Sequence, residues 1–199
     1  MQFKTICDIF FKLTLNLNIK KNIILLLAIT LNTIVYTQNI TILNPSENIG
    51  MSNWRIVNDG VMGGVSQSSI YINQENSMVF NGYLSLDNNG GFASCRMGFN
   101  GSNLKKIQSF TMKVKGDGNI YKFRLRMNGS YANYSADFET KKDEWIDVII
   151  PIVNFKPYYF GRSTRAPKLK LQKVNSIGIL ISDKQEGKFA LEIEYIKAL

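Results

Sequence analysis

Short runs of β-branched and aromatic residues follow one another from Ile40 onward, and glycine, asparagine or aspartate interrupts them about every ten residues. This part of the sequence has no convincing helical period. The pattern is typical of antiparallel β-proteins, in which short strands alternate with tight turns. It predicts a single all-β domain, an antiparallel β-sandwich of the jelly-roll type. The expected strands are Ile40–Leu43, Trp54–Val57, Ser66–Ile72, Ser77–Leu84, Gly91–Phe99, Ser109–Lys115, Tyr121–Met127, Tyr131–Thr140, Trp145–Ile150, Ser176–Ser182 and Phe189–Ile196.

The first 37 residues differ in character from the rest of the chain. Lys20 and Lys21 precede a mostly apolar stretch from Ile23 to Val35. A basic flank before a short apolar stretch is typical of a secretory signal peptide. As a helix the stretch would span about 20 Å, which is short of the ~30 Å hydrocarbon core of a membrane. We therefore expect a signal peptide in residues 1–37, an exported domain in residues 38–199 and no stable transmembrane span. An uncleaved N-terminal anchor is the alternative.

The composition excludes several classes of chemistry. The chain has no histidine, which rules out Ser-His-Asp and Cys-His catalysis and histidine-bearing zinc sites. Cys95 has no partner once Cys7 is removed with the leader, and we expect it to be a small apolar strand residue. The polar loop at 87–91 offers one carboxylate, too few for a calcium site. We expect no catalytic residue, metal or cofactor. The net charge of +9, with acidic residues mixed throughout, does not indicate a nucleic-acid partner.

The segment from Trp54 to Ser66 combines a tryptophan, an Asn-Asp-Gly turn and a Gly-Gly pair. Asn and Asp side chains bond to nearby backbone, and glycine accepts positive φ or a close approach to another surface. The segment is expected to form a strand, a tight turn and a glycine bulge; the alternative is a ligand or partner loop. Asp59 is expected to act through turn bonding, so that Asp59→Asn changes stability little. The residues singled out are Trp54, Asn58, Asp59, Gly60, Met62, Gly63 and Gly64.

This segment also resembles the signature of the complex I intermediate-associated protein 30 family, through Trp54, the run from Val57 to Gly64, and Ser66. The resemblance covers roughly residues 44–196. It implies a galactose-binding-like sandwich and a non-enzymatic module that binds protein partners, because the eukaryotic members are assembly factors for respiratory complex I. Further matching motifs are Phe80-x-Gly82-x-Leu84-Ser85, Gly90-Gly91-Phe92-Ala93-Ser94 with Arg96, Lys115-Gly116-Asp117-Gly118, Trp145, Pro151, Phe155, Ile177-Gly178 and Gly187-Lys188-Phe189-x-Leu191-x-Ile193.

One hairpin can be predicted to the residue. Asn128-Gly129 is the preferred loop of a type I′ turn, and it would pair Arg126 with Tyr131 and Arg124 with Asn133. Alternation then places Phe123, Leu125, Ala132 and Tyr134 in the core. The opposite face is the candidate binding surface, because Arg donors beside Tyr and Asn suit hydroxyl-rich or anionic ligands. A solvated outer face is the alternative. The candidate binding residues are Lys122, Arg124, Arg126, Tyr131 and Asn133, with Ser135 beside them.

The most aromatic segment runs from Phe155 to Arg162 and is expected to be a long loop. Loop aromatics either cover a sheet edge or contact a partner. Tyr158, Tyr159, Phe160 and Arg162 are therefore candidate partner-binding residues. Trp54 and Trp145 are expected in the core.

Two functions remain open at this stage. The family resemblance implies a chaperone-like or assembly-factor role with an unidentified protein partner. Export and the Arg-Tyr-Asn face favour a secreted glycan-binding module instead. An enzyme would need a carboxylate pair such as Asp59 with Asp87, whose separation the sequence does not set.

Overall fold

The computed structural model describes residues 39–199, which form two antiparallel β-sheets around one core. The six-stranded sheet has the order β3-β4-β13-β6-β9, with β1 also paired to β13. The seven-stranded sheet has the order β11-β10-β8-β7-β12-β5-β2. The strands are β1 Ile40–Leu43, β2 Arg55–Ile56, β3 Gln67–Ile72, β4 Met78–Leu84, β5 Ala93–Gly98, β6 Ser109–Lys115, β7 Ile120–Met127, β8 Asn133–Glu139, β9 Trp145–Pro151, β10 Lys156–Tyr159, β11 Arg162–Ser163, β12 Val174–Ile181 and β13 Gly187–Ala198. The predicted antiparallel sandwich is confirmed.

Alternating burial along the strands builds the core between the sheets. In β7, Phe123 and Leu125 are fully buried, whereas Arg124 between them is only half-buried. The ring of Phe110 from β6 meets that of Phe123 edge-on, with 5.1 Å between centroids, and so joins the two sheets. Cys95 in β5 is fully buried, as expected of an apolar strand residue. Each large apolar side chain removed from water in this way contributes roughly 1.5–3 kcal/mol.

The aromatic segment expected to be a long loop forms two further strands, so that prediction is wrong. Residues 156–158 of β10 pair with β8, and Tyr159 pairs with Arg162 in β11. Between these partners Phe160 has φ +46° and Gly161 has φ +73°. Positive φ at both central residues is what a type I′ hairpin turn requires. Tyr158 and Tyr159 are good strand formers, but Phe is not a residue typical of tight turns. The sequence therefore gives little sign of a hairpin here.

The β7–β8 hairpin has a different register from the predicted one. Arg124 lies opposite Ser135 rather than Asn133, which is a shift of two residues. Gly129 has φ +81°, but Asn128 does not have positive φ, so the predicted type I′ turn is absent. Tyr131 and Ala132 leave the ladder instead, and Ala132 is buried. Because a shift of two keeps every side chain on its original face, the predicted division into core and polar faces survives.

The two tryptophans are less buried than expected. Trp54 is half-buried, packs against the core and donates from Nε1 to the carbonyl of Gly50 at 2.8 Å. Trp145 lies outside the core cluster, on the outer face of the six-stranded sheet, so its predicted core position is wrong. There the ammonium groups of Lys113 and Lys115 lie 5.9 and 5.2 Å from its ring centroid. Lysine stems can cover such a ring, which explains a large aromatic residue on the outside of a sheet.

The predicted signal peptide in residues 1–37 lies outside the described residues. Within residues 39–199, no helix has the length and apolar character that a membrane crossing requires.

Candidate functional site

A cleft of about 640 Å³ opens on the outer face of the seven-stranded sheet. Strands β5, β7, β8 and β12 form its floor, and two groups of loops form its rims. Most of the predicted site residues meet here: the polar face of the β7–β8 hairpin, part of the aromatic segment, and part of the signature segment. The predicted residues that line it are Met62, Lys122, Arg124, Arg126, Tyr131, Asn133, Tyr158, Tyr159 and Phe160, with Ser135 beside them.

Three arginines dominate the floor. Arg96 of β5 lies opposite Gly178 of β12, which in turn lies opposite Arg124 of β7. Neighbouring strands are about 4.8 Å apart, so the Cα atoms of Arg96 and Arg124 are about 10 Å apart, with no side chain between them. Arg126 follows two residues along β7 and faces the same side. The floor therefore presents a cluster of guanidinium groups, which are planar donors with fixed geometry.

Burial and neighbouring positive charges lower the pKa of Arg96 and of Arg124. Burial, followed by repulsion from Arg96 and Arg126, lowers the pKa of Arg124 to about 10. Burial, then the charges of Arg55 and Arg126, also lowers the pKa of Arg96. Each ion pair found within residues 39–199 uses a lysine, so none of these arginines has an acidic partner there. The Nε of Arg96 is buried and has no hydrogen-bond partner.

Lys122 has a different role from the arginines beside it. Its ammonium lies 2.8 Å from Asp137 and 2.7 Å from Asp183, and only 14% of its side chain is exposed. Although desolvation opposes the charge, hydrogen bonds and the charges of both aspartates raise the pKa of Lys122. Lys122 is therefore a paired cation at one end of the cleft. It ties β7 to β8 and to the turn after β12.

An aromatic rim borders the cleft beside the arginines. Tyr131 and Tyr159 meet edge-on with centroids 5.1 Å apart, and Tyr159 meets Phe160 at 4.4 Å. The hydroxyl of Tyr131 donates to the carbonyl of Arg165 at 2.7 Å, which restrains the ring. Phe160 is 75% exposed, although an apolar residue with positive φ is conformationally unfavourable. Arg162, the remaining candidate on this segment, is exposed and does not line the cleft.

The signature segment forms the opposite rim. After β2 the chain turns through a 3₁₀ turn at Asp59–Met62, and Val61 and Met62 from this turn border the cleft. The expected strand is shortened to Arg55–Ile56, while the expected tight turn is present. Gly63 has φ +93°, and a Cβ on Gly64 would collide with the Asp59 carboxylate. Small residues are therefore required here by backbone shape and by the proximity of Asp59.

Asp59 holds the signature rim together. Its fully buried carboxylate accepts the backbone N–H and the hydroxyl of Ser66 at 3.0 and 2.5 Å. It also accepts the backbone N–H groups of Gly91 and Phe92 at 2.7 and 3.3 Å. Burial alone would raise the pKa of Asp59, but the bond from the Ser66 hydroxyl and the three backbone bonds together lower it. The expectation that Asp59 acts only through local turn bonding is therefore wrong.

Trp54, Asn58 and Gly60 lie away from the cleft surface. Asn58 connects segments: its amide donates to the carbonyl of Ser66 at 3.3 Å, and its carbonyl oxygen accepts from the Ser68 hydroxyl at 2.9 Å. Gly60 is exposed in the 3₁₀ turn. These residues shape the rim without bordering the cleft.

Arg96 lines the cleft but is not among the site residues predicted from the sequence. The alternation of buried Cys95 and Met97 around it would have placed it on the outer face of β5. What the pattern lacks is the order of the strands, because β12 joins β5 to β7 although it comes much later in the chain. The residues described contain no group of three acidic or cysteine side chains arranged to hold a metal.

Comparison with known proteins agrees with the signature. The family model for complex I intermediate-associated protein 30 matches residues 43–193. The chain belongs to this family. A mouse member, complex I intermediate-associated protein 30, mitochondrial, is 29% identical over 101 residues. That match covers 46% of this chain and 30% of the mouse protein, so the two share less than a third of the mouse protein's length.

Solved structures with the same fold include carbohydrate-binding modules. The family 11 module from Clostridium thermocellum, determined with a β-1,3-1,4-mixed-linked tetrasaccharide, has a TM-score of 0.59 at 18% identity. The alignment covers 81% of this chain and 95% of the module. The agarase AgWH50C matches with a TM-score of 0.56 at 8% identity, over 80% of this chain and 24% of the enzyme. At these identities the likeness establishes the sandwich fold of this family member.

The family signature acquires a structural meaning from the rim. Its two most distinctive pieces are the run from Val57 to Gly64 and the later Gly90-Gly91-Phe92 motif. The Asp59 carboxylate joins them across 32 residues of sequence, through the N–H of Gly91. A Cβ on Gly90 would also collide with this carboxylate. Both motifs are therefore parts of one hydrogen-bonded rim.

Proposed function

We propose that this chain is a non-enzymatic carbohydrate-binding module that holds a glycan in the cleft of its seven-stranded sheet. The observation that carries the proposal is an arginine floor beside an aromatic rim, in one cleft. Its volume of about 640 Å³ falls within the roughly 300–1,000 Å³ typical of small-ligand sites. A standard protein interface instead covers an extended surface of about 800 Å² on each partner, rather than one cleft.

The chemistry of the cleft suits a sugar. Guanidinium groups can donate paired hydrogen bonds to hydroxyl or ring oxygens, and Asn133 and Ser135 add further polar groups to the floor. Aromatic side chains such as Tyr159 and Phe160 combine apolar area with few rotatable bonds. The fold gives additional support, because a module of the same architecture has been solved with a bound tetrasaccharide.

Calorimetric titration of a glycan panel, including the mixed-linked tetrasaccharide, tests the proposal. Arg126→Ala should weaken binding about ten-fold or more, since a charge-assisted hydrogen bond contributes about 1.5–3 kcal/mol. Phe160→Asn should also weaken binding, because it removes an aromatic surface against which the sugar packs. Lys106→Ala is the matched control: Lys106 is exposed and lies outside the cleft lining. Binding of no glycan, or equal affinities in all three variants, would reject a glycan site in this cleft.

A protein partner is the second candidate, as the family membership suggests. The specific observation in its favour is the apolar character of both rims: Val61 is 73% exposed, Met62 54% and Phe160 75%. Aromatic and methionine side chains are enriched in the cores of protein interfaces. Under this alternative, Met62→Ser and Phe160→Asn should abolish capture of the partner, while Arg126→Ala should leave it intact. Loss in the arginine variant alone would exclude rim-based recognition.

We also propose that residues 1–37 direct export, on the basis of the lysine pair and the short apolar stretch that follows it. Mass spectrometry of the protein from its native host should find a new N-terminus between about Ile34 and Asn44. Intact Met1 on a cytoplasmic protein would end this proposal and favour an intracellular partner.

A further inference from the structure

We infer that the cleft is selective for an anionic saccharide, whose carboxylate or sulfate group is held by Arg96, Arg124 and Arg126. The inference rests on the proposed glycan-binding function and names the class of glycan. It follows from the arrangement of these arginines in the sheet and from their lack of acidic partners.

The arginines converge because of the register of three strands. Arg96, Gly178 and Arg124 stand in one row across β5, β12 and β7, and all three line the cleft. A side chain at position 178 would fill the space between the two arginines, since a Cβ there already meets the Cβ of Arg96 at 2.9 Å. The bare backbone of Gly178 thus leaves room for a ligand group between two guanidinium donors.

The three arginines on the cleft floor lack an acidic counter-charge within residues 39–199. Lys113, Lys115, Lys122 and Lys141 each have a carboxylate within 3 Å. Asp183 is the acidic residue in the cleft lining, and it pairs with Lys122 at 2.7 Å. The charges that lower the pKa of Arg96 and Arg124, after burial, all belong to other arginines: Arg55 and Arg126 for Arg96, and Arg96 and Arg126 for Arg124.

Such clustering of unpaired cations is unfavourable in the free protein. Burial and mutual repulsion both disfavour the charged forms, and the repulsion would be relieved by an anion between them. Arg96 adds an unsatisfied hydrogen-bond donor, because its buried Nε–H has no acceptor. Planar guanidinium groups match the geometry of carboxylate and of tetrahedral sulfate, to which they can donate two parallel hydrogen bonds.

The size of the site favours a saccharide over other polyanions. A duplex or a long single strand would need cations spread along a surface, whereas here they meet in one cleft beside aromatic rings. An acidic peptide would provide carboxylates, but without rings to pack against Tyr159 and Phe160. A uronate-bearing or sulfated polysaccharide provides both the charge and the rings.

Affinity electrophoresis and calorimetry of the whole protein test the inference with five probes. Polygalacturonate carries carboxylates and carrageenan carries sulfates, so they distinguish the two anionic groups. Mixed-linked β-glucan is neutral, and polyglutamate and a single-stranded oligonucleotide are anions without the same chemistry. We expect one of the two anionic polysaccharides to bind at least about ten-fold more tightly than the other three classes, and to weaken on raising salt from about 50 to about 500 mM.

Two substitutions locate the effect. Arg124→Gln and Arg126→Gln should each reduce affinity for the anionic polysaccharide about ten-fold or more, and the remaining affinity should depend less on salt. Lys106→Gln removes the same charge at a distance and should have no effect. Thermal melts verify folding, and the exposed Arg126 provides a test even if the half-buried position 124 does not tolerate glutamine.

Each remaining outcome overturns the inference. Neutral glucan bound as tightly as the charged polymers would leave the proposed function standing and remove the anionic selectivity. Preference for polyglutamate or the oligonucleotide would replace the saccharide with another polyanion. Equal affinities in the wild type and both arginine variants would show that the anionic group is not bound by these arginines. Binding of no probe would reject the inference and the proposed function together.

Discussion

Replacing Asp59 with asparagine tests the account of the signature rim. The carboxylate is fully buried, and its Oδ2 accepts three donors while its Oδ1 accepts the Ser66 N–H. The more favourable orientation of the asparagine places its oxygen at the Oδ2 position, where it keeps three weakened hydrogen bonds. The NH₂ group of the asparagine then faces the backbone N–H of Ser66. An unpaired buried donor costs about 1–3 kcal/mol, and loss of the charge weakens the other bonds. We therefore expect a loss of about 3 kcal/mol in unfolding free energy.

Urea unfolding of the wild type, Asp59→Asn and a control measures this loss directly. Asp87→Asn is the matched control, because it makes the same change at an exposed carboxylate in the neighbouring loop. It should shift stability by no more than about 0.5 kcal/mol. If Asp59→Asn were as mild as the control, the hydrogen-bonded rim would not contribute to stability and the reasoning would be refuted.

The pH dependence of stability provides an independent check. The folded protein lowers the pKa of Asp59, so this group contributes stability that is present above its unfolded pKa, which lies near 4. The contribution is lost as pH falls from about 4 through the folded value. The Asp59→Asn variant lacks this group, so its stability should fall less steeply over that acid range. Parallel acid unfolding profiles for the two proteins would contradict the assignment.

Three further predictions concern single side chains. Burial raises the pKa of the Cys95 thiol to about 12. Mass spectrometry should therefore find Cys95 unmodified by iodoacetamide in native protein at pH 8 and modified in urea. Rapid labelling of the native protein would contradict the burial of Cys95. Phe160→Asn should raise the unfolding free energy by about 0.5–1 kcal/mol, because asparagine adopts positive φ more readily than phenylalanine. A loss of stability of that size in thermal melts would show instead that the ring stabilises the fold. Trp145→Ala should cost about 1–2 kcal/mol in urea, less than the 3–5 kcal/mol expected for Phe123→Ala; equal costs would place Trp145 in the core.

The polar face of the β7–β8 hairpin could be predicted although its register could not. The Asn128-Gly129 pair predicts a two-residue turn, but the loop is longer, and Ala132 within it is buried in the core. The error was two residues, an even number, so Arg124 and Arg126 remained on the outer face. The period of side chains along a strand is a more robust signal than the type of turn.

Other parts of the site depend on contacts that are remote in sequence. Asp59 finds Gly91 and Phe92 more than thirty residues away, and no local pattern distinguishes such a buried acceptor from an ordinary turn aspartate. Arg96 meets Arg124 only because β12 lies between their strands. The segment expected to be a long loop forms a hairpin, with Phe160 at positive φ in its turn. Tertiary contacts override local preference in each case.

Mapping the bound glycan onto the sheet by backbone amide NMR tests the central claim most directly. A short oligosaccharide of the polysaccharide that binds most tightly is titrated into the labelled protein, and amide shifts are followed on both outer faces. Shifts are predicted at Arg96, Arg124 and Gly178 on the floor and at Gly161 on the aromatic rim. The amide of Lys113, on the far face of the other sheet, should not move. Shifts confined to the face that carries Lys113, or no shifts at saturating oligosaccharide, would contradict a glycan site in this cleft.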